Sequence, residues 1–193
     1  MKESILIGII LVLIYIFFLK NKLELMAINV NDDIIYVRKT KDYNDRALLL
    51  YELIKRMYIL REHLLVSQNN HTKYKKYILL LINNFNRKKT KIYETELKSK
   101  YTSYNVNKGE ELVFCLRYKP TMKLHNINDL VYVAVHEMAH SGCPENGHTP
   151  LFNKIFKFYL NESIKIGIYK YHNYSLSPIM YCGMKLNTQI LNY

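Results

Sequence analysis

The sequence contains one string whose residue types and spacing suit metal chemistry, His136-Glu137-Met138-Ala139-His140. On a helix, positions i and i+4 lie on the same face, so both imidazoles can reach one metal ion. Glu137 then stands beside that metal, where a carboxylate can take a proton from a bound water. At this chain's histidine and glutamate frequencies, chance would produce such a string in about one sequence in seventy.

The residues around this string predict a helix that can carry it. Asn128 or Asp129 is a suitable N-cap, and Gly142 and Pro144 end the helix just after His140. Buried His and Glu side chains without partners would cost free energy, and metal binding offsets that cost. The apolar residues that recur at helical spacing are Leu130, Val131, Val133, Ala134 and Met138.

A zinc site needs a third protein ligand, and two residues compete for that place. His148 directly precedes Thr149-Pro150, which predicts the N-cap and first position of a second helix. His148 therefore lies on a short corner between two helices, which can fold back toward His140. Glu162 on the second helix is the rival, because some H-E-x-x-H enzymes take a Glu ligand. We favour His148, since three His ligands and an open water position make a catalytic zinc site.

From His136 to Phe152 the sequence reads H-E-x-x-H and then G-H-T-x-x-F, which resembles the WLM and SprT-like groups of minimal zinc metallopeptidases. Over about residues 90–185 it is similar to the WLM-like proteins of large nucleocytoplasmic DNA viruses. The resemblance implies a zincin-like fold, with zinc (Zn2+) on His136, His140 and His148 and Glu137 as general base. It does not supply a substrate. The further segments that carry the resemblance are 103–109, 114–117, 165–169 and 181–183.

The C-terminal segment offers a weaker motif. Residues 177–181 resemble the Met turn that lies beneath zinc in metzincins, and in such a turn Tyr181 could donate a hydrogen bond to the oxyanion. The alternative is that Tyr181 packs among the other tyrosines of residues 168–193. The full metzincin pattern fails, because Cys143 and Asn146 occupy its Gly and His positions.

Hydrophobic spacing predicts the elements that position these residues. Residues 44–66 and 71–86 favour two helices that pair as a hairpin, and 149–166 favours a helix after the metal string. Strand-like pieces lie at 92–94 and 111–117. In zincins a strand beside the active-site helix offers its edge to an extended peptide, and the resemblance gives 111–117 that role. The expected fold class is α+β, with the metal helix beside a small sheet.

The N-terminus predicts a transmembrane anchor. Residues 5–19 are uncharged and rich in Ile, Leu and Phe. With Ser4 they would span about 24 Å as a helix, slightly less than a ~30 Å hydrocarbon core, and Lys20 and Lys22 could snorkel to cover the difference. No small-residue cleavage site follows, so an uncleaved anchor is favoured over a signal peptide.

Charge and cysteine use then suggest an orientation and a domain plan. The lysines and arginines that follow the apolar run place the domain in the cytoplasm. The chain has three cysteines, Cys115, Cys143 and Cys182. A small and odd number does not look like a secreted disulfide framework. The plan divides the chain into an anchor at 1–20, a stalk at 21–43 with a strand at 33–37, and one domain at 44–193. Within that domain, the helical hairpin 44–86 precedes the catalytic part 90–185.

The formal net charge of +12 raises the question of nucleic acid. Residues 73–100 carry nine Lys or Arg against two Glu, a pattern that attracts phosphates or anionic headgroups. A solvated surface and the composition of an AT-rich genome are simpler explanations, and no recognised DNA-reading module is present.

Together these patterns predict a membrane-anchored zinc metallopeptidase. Its substrate is a protein or peptide, and Glu137 assists attack by a zinc-bound water. Two alternatives stay open: an inactive viral structural protein with a zinc-stabilised fold, and a basic protein that binds nucleic acid. Intact Glu137 favours the enzyme, because zinc binding alone does not need it.

Overall fold

The structure is a computed structural model that describes residues 2–23, 25–96 and 99–191, without the side chains of 2–5 and 17–23. Helices and strands alternate irregularly along it, as the α+β prediction requires. The helices are α1 (Lys2–Leu23), α2 (Tyr43–Ser67), α3 (Lys75–Asn84), α4 (Ile127–Gly142) and α5 (Pro150–Lys165), with a 3-10 turn at Gln68–Asn70. The strands are β1 (Leu25–Val30), β2 (Asp33–Arg38), β3 (Lys91–Glu94), β4 (Tyr104–Val106), β5 (Glu111–Phe114), β6 (Arg117–Tyr118), β7 (Lys123–Leu124), β8 (Ile179–Tyr181) and β9 (Met184–Leu186).

Five strands form one mixed sheet in the order β1-β2-β3-β5-β4. The central pairs β2–β3 and β3–β5 are parallel, and the outer pairs β1–β2 and β4–β5 are antiparallel. β5 therefore lies inside the sheet, and the three-residue strand β4 forms the edge. The prediction that 111–117 offers that edge is wrong. β4 is too short to produce a recognisable alternation, and its pairing depends on a turn at 107–109 with positive φ angles.

α2 covers one face of the sheet, and α4 is the central helix of the molecule. α4 contacts α2, α3, α5 and β4, so its apolar residues are buried on several sides, including all five that the sequence pattern identified. The two helices expected at 44–66 and 71–86 are present as α2 and α3. Both also pack on α4, so the predicted helical hairpin and the catalytic part share one hydrophobic core.

The predicted stalk at 21–43 contains a β-hairpin. β1 and β2 pair over six residues each and extend the main sheet. Asn31 and Asp32 connect them with φ angles of 46° and 67°, which is the conformation of a two-residue hairpin turn. An Asn-Asp pair between two strand-like runs was the sequence signal for this hairpin.

The predicted membrane anchor at residues 1–20 is wrong. Within the described part of the chain, no helix combines the length and the apolar character needed to cross a membrane. The uncharged run is shorter than the roughly 20 residues that a bilayer core requires, because Lys20 and Lys22 end it. The predicted single-pass membrane localisation is wrong for the same reason.

Two of the three cysteines are paired. Cys115, just after β5, forms a disulfide with Cys182, in the turn between β8 and β9, while Cys143 is buried and free. The odd cysteine count gave no hint of this pair, because a bridge across 67 residues depends on the tertiary fold.

A buried charge cluster joins α2 to the sheet. The Arg46 side chain is fully buried, and its Nε lies 3.0 Å from Glu94 Oε2 of β3. It also donates to Asp42 Oδ1 at 2.6 Å and to the Arg38 carbonyl oxygen at 2.5 Å. These contacts satisfy a cation that would otherwise be costly to bury.

Candidate metal centre

α4 begins nine residues before the metal string, which is about two and a half helical turns, and presents the string to a cleft. Its N-cap is Asn126, whose side chain accepts a hydrogen bond from the Asn128 backbone N–H at 2.8 Å. The sequence placed the cap at Asn128 or Asp129, two or three residues too late. The Asp129 carboxylate instead accepts a hydrogen bond from the Tyr174 hydroxyl at 3.0 Å, which ties the start of α4 to the C-terminal segment.

Three histidines converge at this cleft. His136 Nε2 lies 3.2 Å from His140 Nε2 and 2.9 Å from His148 Nε2, and the last two atoms are 3.2 Å apart. A tetrahedral zinc ion with Zn–N bonds of 2.0–2.1 Å separates its ligand nitrogens by about 3.3 Å. The three Nε2 atoms of neutral imidazoles cannot all hydrogen bond to one another in this triangle, because each Nε2 either carries a hydrogen or offers a lone pair, but not both. The donor set and spacing therefore fit a zinc ion with a fourth position facing the cleft.

His148 reaches the site because the chain turns sharply between two helices. Gly147 has a φ of +76°, a conformation that glycine adopts without a steric cost. Thr149 then caps α5, since its Oγ1 accepts from the Phe152 backbone N–H at 3.2 Å. The Phe152 ring stacks on His140 with 4.2 Å between ring centroids. The cap and the Pro150 start were both predicted, and the structure contains both.

Glu162, the rival ligand, lies elsewhere. Its carboxylate is 3% exposed and accepts hydrogen bonds from His63 Nε2 at 2.8 Å and Lys165 Nζ at 2.5 Å. Burial would raise its pKa, but the hydrogen bonds from His63 and Lys165 outweigh burial, so the pKa is lowered. Among the described residues, the possible ligand atoms that converge belong to His136, His140 and His148. Glu162 is not part of this group.

Glu137 lies beside this triangle in a dry environment. It is 6% exposed and lines the cleft. Burial raises the pKa of Glu137 to about 8. Burial also lowers the pKa of His136 to about 3 and that of His140 to about 4, with His148 contributing to both shifts. Neutral imidazoles are the form that binds metal.

Tyr181 lies at the wall of the cleft, and its hydroxyl group is hydrogen bonded within the protein. The side chain is 1% exposed, and its Oη donates to the Cys115 carbonyl oxygen at 3.0 Å and lies 2.6 Å from Ser103 Oγ. Its ring packs on His125. The proposed oxyanion role of Tyr181 stays a prediction, and the packing alternative describes its contacts in this structure.

The cleft has a volume of about 1050 Å³ and four walls. β4 forms one side, α4 the floor and α5 the opposite side, while the C-terminal residues close the end. Sequence reasoning missed most of two of these walls. β4 lay inside the segment that carries the family resemblance but had no assigned role, and Tyr181 was the one C-terminal lining residue that the sequence analysis named. The other C-terminal residues that line the cleft are Met184, Leu186, Thr188, Gln189 and Ile190.

Residues 86–91 are the densest part of the basic stretch 73–100. They lie outside the cleft, between α3 and the start of β3. Arg87 Nη1 is 2.9 Å from Asp33 Oδ1, and Lys91 Nζ is 3.8 Å from Glu111 Oε1. These carboxylates offset part of the positive charge of residues 86–91. Nucleic-acid association stays a prediction from the charge pattern.

No protein-family model matches this sequence. Two solved structures are similar to part of this chain. The crystal structure of Wss1 from Saccharomyces cerevisiae has a TM-score of 0.49 and 16% identity, over 67% of this chain and 86% of that one. A Wss1 mutant from the same yeast gives 0.47 and 17%, over 67% and 87%.

Viral proteins are more similar in sequence. The uncharacterized protein 136R of Invertebrate iridescent virus 6 is 33% identical over 94 residues, which is 48% of this chain and 50% of that protein. The uncharacterized protein R325 of Acanthamoeba polyphaga mimivirus is 39% identical over 180 residues, covering 91% of this chain and 90% of R325. At that identity and coverage, this chain belongs to the same protein family as R325.

Proposed function

We propose that this protein is a zinc-dependent metallopeptidase. The observation that carries the proposal is the convergence of His136, His140 and His148 in an open cleft that Glu137 also lines. Structural zinc sites are closed by four protein ligands, whereas catalytic sites keep a position for water or substrate. Three ligands facing a cleft match the catalytic type. The resemblance to WLM and SprT-like metallopeptidases supports the same reaction class.

The three imidazoles would hold the metal, and the nearby aromatic side chains orient them. When bound there, zinc supplies a Lewis acid that polarises a carbonyl and makes water more acidic. The Phe152 ring packs against all three histidines, which restricts their rotation. Restricted ligands lose less conformational entropy when the ion binds.

Glu137 performs the proton transfers in this proposal. A zinc cation bound at the three histidines would favour the charged form of Glu137 against the effect of burial. The carboxylate would then take a proton from the attacking water and return it to the leaving amine. Exclusion of water around Glu137 strengthens its interactions with the reacting groups. No other Asp or Glu lines the cleft among the described residues, so Glu137 is the available carboxylate base.

The open edge of β4 is a suitable place for an extended peptide. β4 pairs with β5 on one side, and its other edge has no strand partner within the described residues. Tyr104 and Asn105 of β4 line the same cleft as His136 and Glu137. A peptide added there as a further strand would lie along the three histidines. Its backbone would form hydrogen bonds with the unpaired backbone groups of the β4 edge.

Two measurements on the full-length protein test this function. Purified protein should contain one zinc ion per chain, and it should cleave members of a diverse peptide library. Glu137→Gln preserves the shape and hydrogen-bonding size of the side chain but removes the base. It should retain zinc and lose at least about 100-fold in rate.

The inactive, zinc-stabilised alternative makes the opposite prediction. Under it, the wild type binds zinc and cleaves the library no faster than Glu137→Gln does. That result would overturn the peptidase proposal and leave the metal site intact. Lack of zinc in both proteins would overturn the metal site itself.

A further inference from the structure

Asn105 links the edge strand of the sheet to the metal helix. Its Nδ2 donates to the Glu137 carbonyl oxygen at 2.8 Å and to Ser141 Oγ at 2.8 Å. Asn105 pairs with Leu112 of β5. Because its side chain bonds to α4, it lies on the face of the sheet that is turned toward α4. It also lines the cleft.

The carboxamide orientation follows from its partners. The Glu137 carbonyl oxygen can only accept, so Nδ2 must face it and Oδ1 must point away. Oδ1 is buried, and it has no hydrogen-bond partner in the described structure. A buried acceptor without a donor lowers stability. Asn105 is therefore a poor choice for stability alone, which is typical of residues at functional sites.

The hydrogen bonds of Asn105 are also dispensable for the helix. In α4 the Glu137 carbonyl oxygen already accepts from the Ser141 backbone N–H by the i+4 pattern. Removing the Asn105 carboxamide therefore leaves that carbonyl oxygen satisfied and removes an unsatisfied oxygen. A purely structural role would predict the contrary, a clear loss of stability.

Ser103 and Lys108 anchor the chain on either side of β4 through hydrogen bonds to Cys115 and Cys143. Within β4 itself, the side-chain hydrogen bonds to α4 come from Asn105. β4 contributes three residues to the sheet and pairs with one neighbour. The Asn105 side chain spans from this strand to the turn of α4 that carries Glu137. The distance from the free edge of β4 to the metal ligands therefore depends on this contact.

We propose that Asn105 is a positioning residue, which sets the free edge of β4 at the distance from His136, Glu137 and His140 that a bound peptide requires. The inference rests on the proposed peptidase function and adds the residue that aligns its substrate. Asn105 acts through β4 and α4 and does not enter the chemistry.

Two hydroxamates separate strand alignment from metal binding. Acetohydroxamate can engage only the metal, whereas a tripeptidyl hydroxamate can also occupy the β4 edge. Both affinities are measured by titration calorimetry on the zinc-loaded full-length protein, together with the melting temperature. The variants are Asn105→Ala, Asn105→Asp and the control Asn29→Ala, which changes an exposed asparagine on β1, the opposite edge of the same sheet.

In the wild type, the tripeptidyl hydroxamate should bind at least about tenfold more tightly than acetohydroxamate. Asn105→Ala should lose about tenfold in tripeptidyl affinity while acetohydroxamate affinity and melting temperature stay close to wild type. Asn105→Asp should lose more, because a carboxylate oxygen would then face the Glu137 carbonyl oxygen. Asn29→Ala should match the wild type in every measurement.

Different outcomes overturn different statements. If the wild type gains affinity from the peptide part and Asn105→Ala keeps that gain, the positioning role is wrong and the peptidase proposal stands. If Asn105→Ala weakens both hydroxamates equally and lowers the melting temperature, Asn105 is a structural residue. If the wild type binds acetohydroxamate but gains nothing from the peptide part, both the positioning role and the peptide substrate are wrong.

Discussion

His148 Nε2 lies 2.9 Å from His136 Nε2, although twelve residues separate the two histidines in the chain. One residue belongs to the middle of α4, and the other precedes the N-cap of α5. Their approach adds a third histidine to the two of the H-E-x-x-H string, which completes the proposed ligand set.

The first prediction concerns that third ligand. His148→Ala should weaken zinc binding by more than about 100-fold, because it removes a ligand rather than a residue that supports one. Glu162→Ala should leave zinc affinity unchanged, since Glu162 is bound to His63 and Lys165. Zinc retained against graded chelator concentrations measures both effects. Loss of zinc in Glu162→Ala alone would contradict the ligand set.

The second prediction concerns the pH dependence of stability at Glu162. Its pKa in the folded protein is lowered, because the hydrogen bonds from His63 and Lys165 outweigh burial. The charged carboxylate therefore stabilises the fold fully above the pKa of Glu in the unfolded chain, about 4.3. This stabilisation is lost as the pH falls through the lowered pKa of the folded state.

Glu162→Gln should accordingly cost about 1–3 kcal/mol in the free energy of unfolding near pH 7. The difference from wild type should shrink as the pH falls below 4.3, the unfolded-chain value for Glu. Urea denaturation at a series of pH values measures it. A difference that is independent of pH would mean that the charge of Glu162 does not matter.

The third prediction concerns the buried pair of Arg46 and Glu94. Arg46→Ala should lower the free energy of unfolding by about 3 kcal/mol, because it removes the cation nearest to the buried Glu94 carboxylate. Glu94 then keeps the Arg38 N–H and a 3.5 Å contact with Arg117. Urea denaturation provides the measurement. As a matched control, Glu52→Ala removes one partner of the partly exposed Glu52–Arg56 pair and should cost less than about 1 kcal/mol. Equal effects would show that burial of the pair is unimportant.

The fourth prediction concerns the disulfide between Cys115 and Cys182. Cys182→Ser should lower the free energy of unfolding by about 2–5 kcal/mol under non-reducing conditions, since the bridge closes a long loop of the unfolded chain. With dithiothreitol the wild type should lose stability until it resembles the variant. A wild type whose unfolding does not respond to the reductant would contradict the bridge.

Local patterns in the sequence predicted much of the site. The i, i+4 spacing of His136 and His140 follows from helical periodicity, and the Thr149-Pro150 start of α5 follows from capping chemistry. Both depend on residues close in sequence, so the tertiary structure had little freedom to change them. The helices α2 and α3 were predicted for the same reason.

The errors concern features that local patterns describe poorly. The apolar run at 5–19 suggested a bilayer span, although it is shorter than one. The strand at 33–37 was predicted and is present as β2. Its pairing with β1 was missed, because an Asn-Asp turn without glycine is a weaker hairpin signal than Asn-Gly. The family resemblance gave β5 the role of an edge strand, and its neighbour β4, with three residues, was too short to be predicted from the sequence.

The sequence alone therefore determined which residues could carry the chemistry: two histidines and a glutamate on one helix face, and a third histidine at a capped corner. These are consequences of backbone geometry within a few residues. Only the tertiary structure brought His148, and not Glu162, to His136 and His140, paired Cys115 with Cys182, and placed Asn105 against Glu137. Those relationships join residues 8 to 67 positions apart, and packing of helices against the sheet creates them.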